Sequence, residues 1–191
     1  MHQGRAQPRA DAVSPGPGVD LARRRAHEAT GIGRRVFALM VAGAMTGPVL
    51  WLQSRWETDR LNGDGIRDFV DPGRLIFGTA RTGGELLQAA EDALRAGVIP
   101  LVVVEPPAPP GLTQLRRLHL AAESGVEAAR QAPLALLLTP GRGGIQGVET
   151  RWQVDPRRGE RWQLTRSRAR MAPPESREMS IAEGRMRFEA A

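Results

Sequence analysis

Lysine, cysteine and tyrosine are absent from this chain of 191 residues, and aromatic residues make up only 4% of it. Without cysteine there is no disulfide framework, no thiolate metal site and no cysteine nucleophile. All 27 basic residues are arginines, so the chain has no lysine to reach a phosphate. The three histidines, His2, His27 and His119, are too scattered to suggest a metal cluster, and no metal site is expected. An N-terminal signal peptide is not expected either, because residues 1–26 are polar with Pro and Arg throughout. The stretch from Val36 to Leu52 is uncharged, but Thr46-Gly47-Pro48 breaks it at the short limit for a membrane span. It reads as a buried helix followed by a buried strand, and no membrane contact is expected.

What is present fits one globular domain. Hydrophobic residues make up 41% and charged residues 25%, ordinary values for a chain that buries a core. The net charge of +6 favours acidic partners, nucleic acid among them, but is modest over this length. Residues 1–22 have almost no large apolar side chains and contain Ser-Pro-Gly-Pro-Gly, so they read as a disordered arm. Residues 175–191 read as a polar, loosely ordered tail. Between these, residues 23–174 form the expected domain.

Inside it, apolar runs alternate with helical patterns. A short strand is expected at Arg25–Ala29, and a helix from Gly33 to Met45 with Val36, Phe37, Met40, Val41 and Ala44 on one face. PVLWL reads as a strand buried on both faces, and RLIF as another after a short helix at Ile66–Phe69. TGGELLQAAEDALRAG is the clearest helix, with a core stripe of Leu86, Leu87, Ala90, Ala93 and Leu94, a Glu91–Arg95 pair and Gly97 as its stop. The strand Ile99–Val104 ends at Glu105, and a proline-rich link leads to the helix LTQLRRLHLAAES. A strand at Ala135–Leu138 and two paired strands, VETRWQV and ERWQLTRSR, complete the pattern. This alternation predicts an α/β fold with a mostly parallel sheet flanked by helices, and antiparallel strands at its C-terminal edge.

Three features could carry chemistry. HEATGIGRRVFAL has the strand, glycines and helix of a phosphate-binding loop, but only Ile32 separates Gly31 from Gly33. Arg34 and Arg35 stand where lysine and a magnesium-binding hydroxyl would be. The stretch reads as a vestigial phosphate loop: a tight glycine turn entering a helix. Glu105, at the carboxyl end of a central strand, reads as a solvated acid or an arginine's partner, with Glu28, Glu57 and Asp59 as further carboxylates near the same edge. No acid or base is assigned, no cofactor is expected, and the chain reads as a non-enzyme.

The third feature is arginine. Arg116 and Arg117 lie on a solvated helix face or contact a partner, with Leu112, Leu115, Leu118 and Ala122 at core spacing. Arg166, Arg168 and Arg170 would point the same way at period two. Such a row could neutralise phosphates or dock an acidic protein, with Trp152 and Trp162 stacking. Equally, it could be a charged edge strand whose tryptophans face the core.

In order, RAHEATG, PVLWLQ, RLIFG with GELLQAAEDALRAG, PLVVVEP and ALLLTP followed by VETRWQV and WQLTRSRARMAPP resemble the RecA core. In that comparison Glu105 is the Walker-B-like acid. HEATG, GPVLW, ALRAG, LTQLRRLHLAAE and ETRWQV are similar to the ImuA-like branch, bacterial accessory proteins encoded with error-prone polymerases. The resemblance covers roughly residues 25–174. It implies a cytoplasmic adaptor in the SOS response and translesion DNA synthesis, with error-prone polymerase components or RecA as partners and DNA as a further contact. A divergent ATPase using Arg34, and a sequence-independent nucleic-acid-binding module, are the alternatives.

Overall fold

The computed structural model describes residues 11–125, 131–170 and 172–188. Five parallel strands form one half of a single sheet and reach its edge at β5: β3 (Ala26–Thr30), β4 (Val49–Ser54), β5 (Leu75–Ala80), β6 (Leu101–Glu105) and β7 (Leu134–Leu138), with β8 (Thr150–Pro156) parallel beside β3. Antiparallel strands β9 (Arg161–Ala169), β10 (Glu175–Ala182) and β11 (Arg185–Phe188) extend it. The nine strands run in the order β11-β10-β9-β8-β3-β7-β6-β4-β5. The expected α/β class, mostly parallel sheet and antiparallel C-terminal edge are therefore present.

The helices divide the core in two. On one face α1 (Arg34–Gly43) packs Phe37, Met40 and Val41 against Ala29, Trp51, Val103 and Leu136. On the other, α3 (Gly83–Ala96) and α4 (Leu112–Ser124) pack Leu86, Leu94, Leu115 and Leu118 against Ala26, Val102, Val104 and Leu137. The strands between them carry apolar side chains toward both faces, which is why LVVV and LALLL show no alternation. The α3 helix starts where Thr82 Oγ1 accepts from the Glu85 amide, and it ends at Gly97 in the left-handed conformation at φ 70°. A short α2 (Gly63–Ile66) buries Ile66. No helix among the described residues is long and apolar enough to cross a membrane, and Val36–Leu52 is divided between α1 and β4.

Both ends of the chain are more ordered than composition suggests. The expected disordered arm holds a hairpin, β1 (Ala12–Gly16) and β2 (Val19–Ala22), while residues 1–10 lie outside the described residues. Its few apolar residues fall where they count: Val13, Val19 and Leu21 are at most 2% exposed and close the core over α1. The expected loose tail is the β10–β11 hairpin, turned by Glu183 and Gly184 at φ 52° and 68°, the left-handed pair that suits two-residue hairpins. Met179 and Met186 anchor it to the same core. Residues 189–191 lie outside the described residues.

Candidate functional site

The glycine turn expected to be a vestigial phosphate loop lies between β3 and α1, and the Gly31, Ile32 and Gly33 amides already have acceptors within the protein. The Gly31 N–H donates to the Gly141 carbonyl at 3.0 Å and the Gly33 N–H to the Val154 carbonyl at 2.8 Å. The Ile32 N–H donates to Asp155 Oδ1 at 3.3 Å, so a carboxylate of β8 sits where an anion would be drawn. Contact is close: a Cβ on Gly31 would fall 2.5 Å from both Asp155 Oδ1 and the Val154 carbonyl oxygen, at a backbone φ of +82°. Arg34 turns back, its Nη1 donating to the Gly31 carbonyl at 3.2 Å, while its buried Nε has no hydrogen-bond partner among the described residues.

Arg35 and Glu105 meet. Arg35 Nε donates to both Glu105 oxygens at 3.1 and 3.0 Å, and Trp51 Nε1 donates to Glu105 Oε1 at 2.7 Å. The Glu105 side chain is 8% exposed and that of Arg35 14%. Asp59 accepts from Arg35 Nη1 on the open side. This buried carboxylate holds a guanidinium, so the expectation of an arginine partner is met and that of a solvated acid is not.

Glu28 goes elsewhere. It is fully buried in the middle of β3, accepting from Thr139 Oγ1 at 2.6 Å, from the Gly144 and Ile145 amides and from Arg151 Nε. It ties β3 to β8 and to the loop after β7. His27 beside it is also fully buried, and burial pushes its pKa down to about 4. Its Nε2 faces the Ala22 carbonyl at 2.8 Å and must donate, so Nδ1 accepts from Thr150 Oγ1 at 2.7 Å. Trp152 Nε1 donates in turn to that hydroxyl at 2.9 Å. These are structural networks with their partners in place.

The arginine row does not form. A bulge lets β9 advance from Arg166 to Arg168 while β8 steps back only from Trp152 to Arg151. Arg166 therefore lies on the α1 side, its guanidinium 5.6 Å from the Trp152 ring centre and 2.9 Å from Glu175. Arg168 and Arg170 lie on the opposite face, exposed and with no ion pair among the described residues. Trp152 and Trp162 belong to the core on the α1 side, as in the edge-strand reading. Arg117 is held by Glu91 at 2.7 Å, whereas Arg116 has no ion pair among the described residues.

Arg116 and Arg170 instead share a groove of about 400 Å³ between α4 and the sheet. Leu112 and Leu120 line it, 41% and 63% exposed, so Leu112 leaves the core stripe assigned to it. His119 is half-buried at its side, accepting from the Ala26 amide at Nδ1 and facing the Gly147 carbonyl with Nε2. Burial lowers its pKa against the opposing Gly147 carbonyl, so it is neutral at pH 7. Arg25 stands between Glu123 and Glu149. Sequence reasoning missed Leu120, although its place off the 112-115-118-122 stripe was a signal. It also missed Asp155 and Trp51, for which it held none. Among the described residues no three His, Asp or Glu side chains converge as metal ligands would. No family model and no curated protein matches the chain.

Proposed function

We propose that this protein is a non-catalytic, RecA-like accessory protein of the SOS response and translesion DNA synthesis. It acts in the cytoplasm by recruiting error-prone polymerase components or RecA. The reading joins the ordered set of RecA-like and ImuA-like segments to a fold of compatible class. The Arg35–Glu105 pair carries its non-catalytic part, because the acid that a nucleotide-bound cation would require is already neutralised by the protein itself. The divergent-ATPase alternative needs Arg34 to reach a phosphate, yet its guanidinium is directed to the loop's own Gly31 carbonyl. The nucleic-acid alternative loses its stacking platform, since Trp152 and Trp162 are core residues.

Titration of ATP with magnesium into the full chain, followed calorimetrically, tests the first half. No binding is expected up to millimolar nucleotide, and a saturable isotherm or steady hydrolysis overturns it. Quantitative pull-down of the tagged protein before and after DNA damage tests the second half. Enrichment of error-prone polymerase components or RecA is expected, and recovery of neither sinks the adaptor role.

A further inference from the structure

We propose that the groove between α4 and the sheet holds an acidic peptide segment of a partner protein, with a leucine-sized apolar side chain beside its carboxylates. The inference deepens the adaptor reading and rests on it, by naming where the recruited protein is gripped and by what chemistry.

Three observations carry it. First, α4 presents a second apolar line that the core does not use. Leu115, Leu118, Ala121 and Ala122 are buried, while Leu112 and Leu120 face the groove and stay exposed. Arg116 lies one helical turn from each, so a cation sits between two apolar contacts on one helix edge. Second, the guanidiniums differ in what they already hold. Arg25 bonds Glu123 and ion-pairs with Glu149, so those two acids are matched inside the groove. Arg116 and Arg170 line the groove and have no ion pair among the described residues, and Arg168, two residues before Arg170 on the same face of the sheet and likewise unpaired there, adds a third charge just outside the lining. Bidentate pairing to carboxylates is the strongest interaction open to such side chains, and two or three of them in a row select an acidic segment. Third, the floor is settled: both nitrogens of His119 are engaged, and the Ala26 amide and Gly147 carbonyl have their partners there.

A peptide fits these features better than a nucleic acid. Single strands bind through stacking on aromatic rings, and among its described lining residues the groove has leucines but no Phe, Tyr or Trp; its one ring, His119, is held by the Ala26 amide and faces the Gly147 carbonyl. Exposed leucines beside arginines match an amphipathic acidic segment.

The test is selection of a random peptide library displayed on phage against the full-length protein. The selected peptides are then measured by fluorescence polarisation. Enriched sequences are expected to place Asp or Glu next to Leu, Ile or Phe. Their affinity should fall about tenfold or more in the Arg116→Ala/Arg170→Ala double variant. It should fall also in Leu120→Ser, with the thermal unfolding of both variants unchanged. Failure to enrich, enrichment without acidic residues, or equal binding to the variants overturns the proposal. So does single-stranded DNA that binds through Arg116 and Arg170 when no acidic peptide does. If the double variant still recovers the same partners in the pull-down, the groove is wrong and the adaptor reading stands. Recovery of neither partner by the unaltered protein is failure of the adaptor reading itself.

Discussion

Two helices of this protein each carry an arginine doublet, Arg34-Arg35 at the start of α1 and Arg116-Arg117 in the first turns of α4, and the structure uses them differently. In α1 both residues are turned inward: Arg34 reaches a loop carbonyl, and Arg35 lies 14% exposed between Glu105 and Asp59. In α4 the doublet splits, with Arg117 drawn to Glu91 of α3 while Arg116 faces the groove without an ion pair among the described residues. Neighbouring residues on a helix point about 100° apart, so one doublet can serve two surroundings. Charge on a sequence does not mark a binding surface. What marks it is charge that the fold leaves unmatched.

The comparison breaks most visibly at Arg35. Arg35→Ala leaves Glu105 buried beside Trp51 with no counter-charge, and losing one partner of a buried pair costs about 3–5 kcal/mol. Arg116→Ala removes an exposed side chain with no ion pair among the described residues and should stay within about 0.5 kcal/mol of the parent. Urea unfolding midpoints of the two variants decide the matter. Similar losses would mean that Arg116 has a structural role, and the contrast between loop and groove would collapse.

The same contrast explains what the sequence could show. Strands β4, β6 and β7 are legible because helices cover both faces, so VLWL, LVVV and LALLL run apolar without a break. Beyond β8 the sheet buries one face only, and β10 reads as ESREMSIA, in which Met179 is the single fully buried residue. So sparse a pattern resembles a tail. The β1–β2 hairpin was hidden the same way: three well-placed apolar residues among glycines and prolines hold it, and composition averages them out. At the loop, the short glycine spacing and missing lysine were readable. The Asp155 carboxylate under the Ile32 amide was not, because that contact spans 123 residues. The groove was half legible, since its arginines were singled out but the bulge that separates Arg166 from Arg168 leaves no mark in SRAR.

Acid should sharpen the comparison from the side of β3. His27 is held neutral with a pKa of about 4, against an ordinary 6.5 in the unfolded chain. A depressed histidine pKa means that the unfolded chain takes up the proton first. Its contribution is therefore fully present above 6.5 and is lost as pH falls from there to about 4. A gap of that size is worth about 3 kcal/mol at most. His119, also lowered, adds loss in the same direction as it gives up its acceptance from the Ala26 amide. Denaturant unfolding across this window should show stability falling with pH, and His27→Asn should flatten the slope whatever it costs at neutrality. A parent protein with no slope there would mean that the His27–Thr150–Trp152 chain does not hold in solution.

The smallest expected effect separates Arg166 from Arg168. Arg166 lies over Trp152 at 5.6 Å, pairs with Glu175 and has a side chain only 15% exposed. Stacking of this kind and a half-shielded ion pair together make Arg166→Ala cost about 1 kcal/mol. Arg168, exposed on the other face and opposite Arg151, should tolerate Ala within about 0.5 kcal/mol. Selected groove peptides should respond in the reverse order, losing affinity with Arg168→Ala and keeping it with Arg166→Ala. If the two residues formed a continuous row, both variants would behave alike in both assays. The bulge predicts opposite rankings for stability and for binding, so one pair of variants tests the register of β9 and the placement of the groove's charge together.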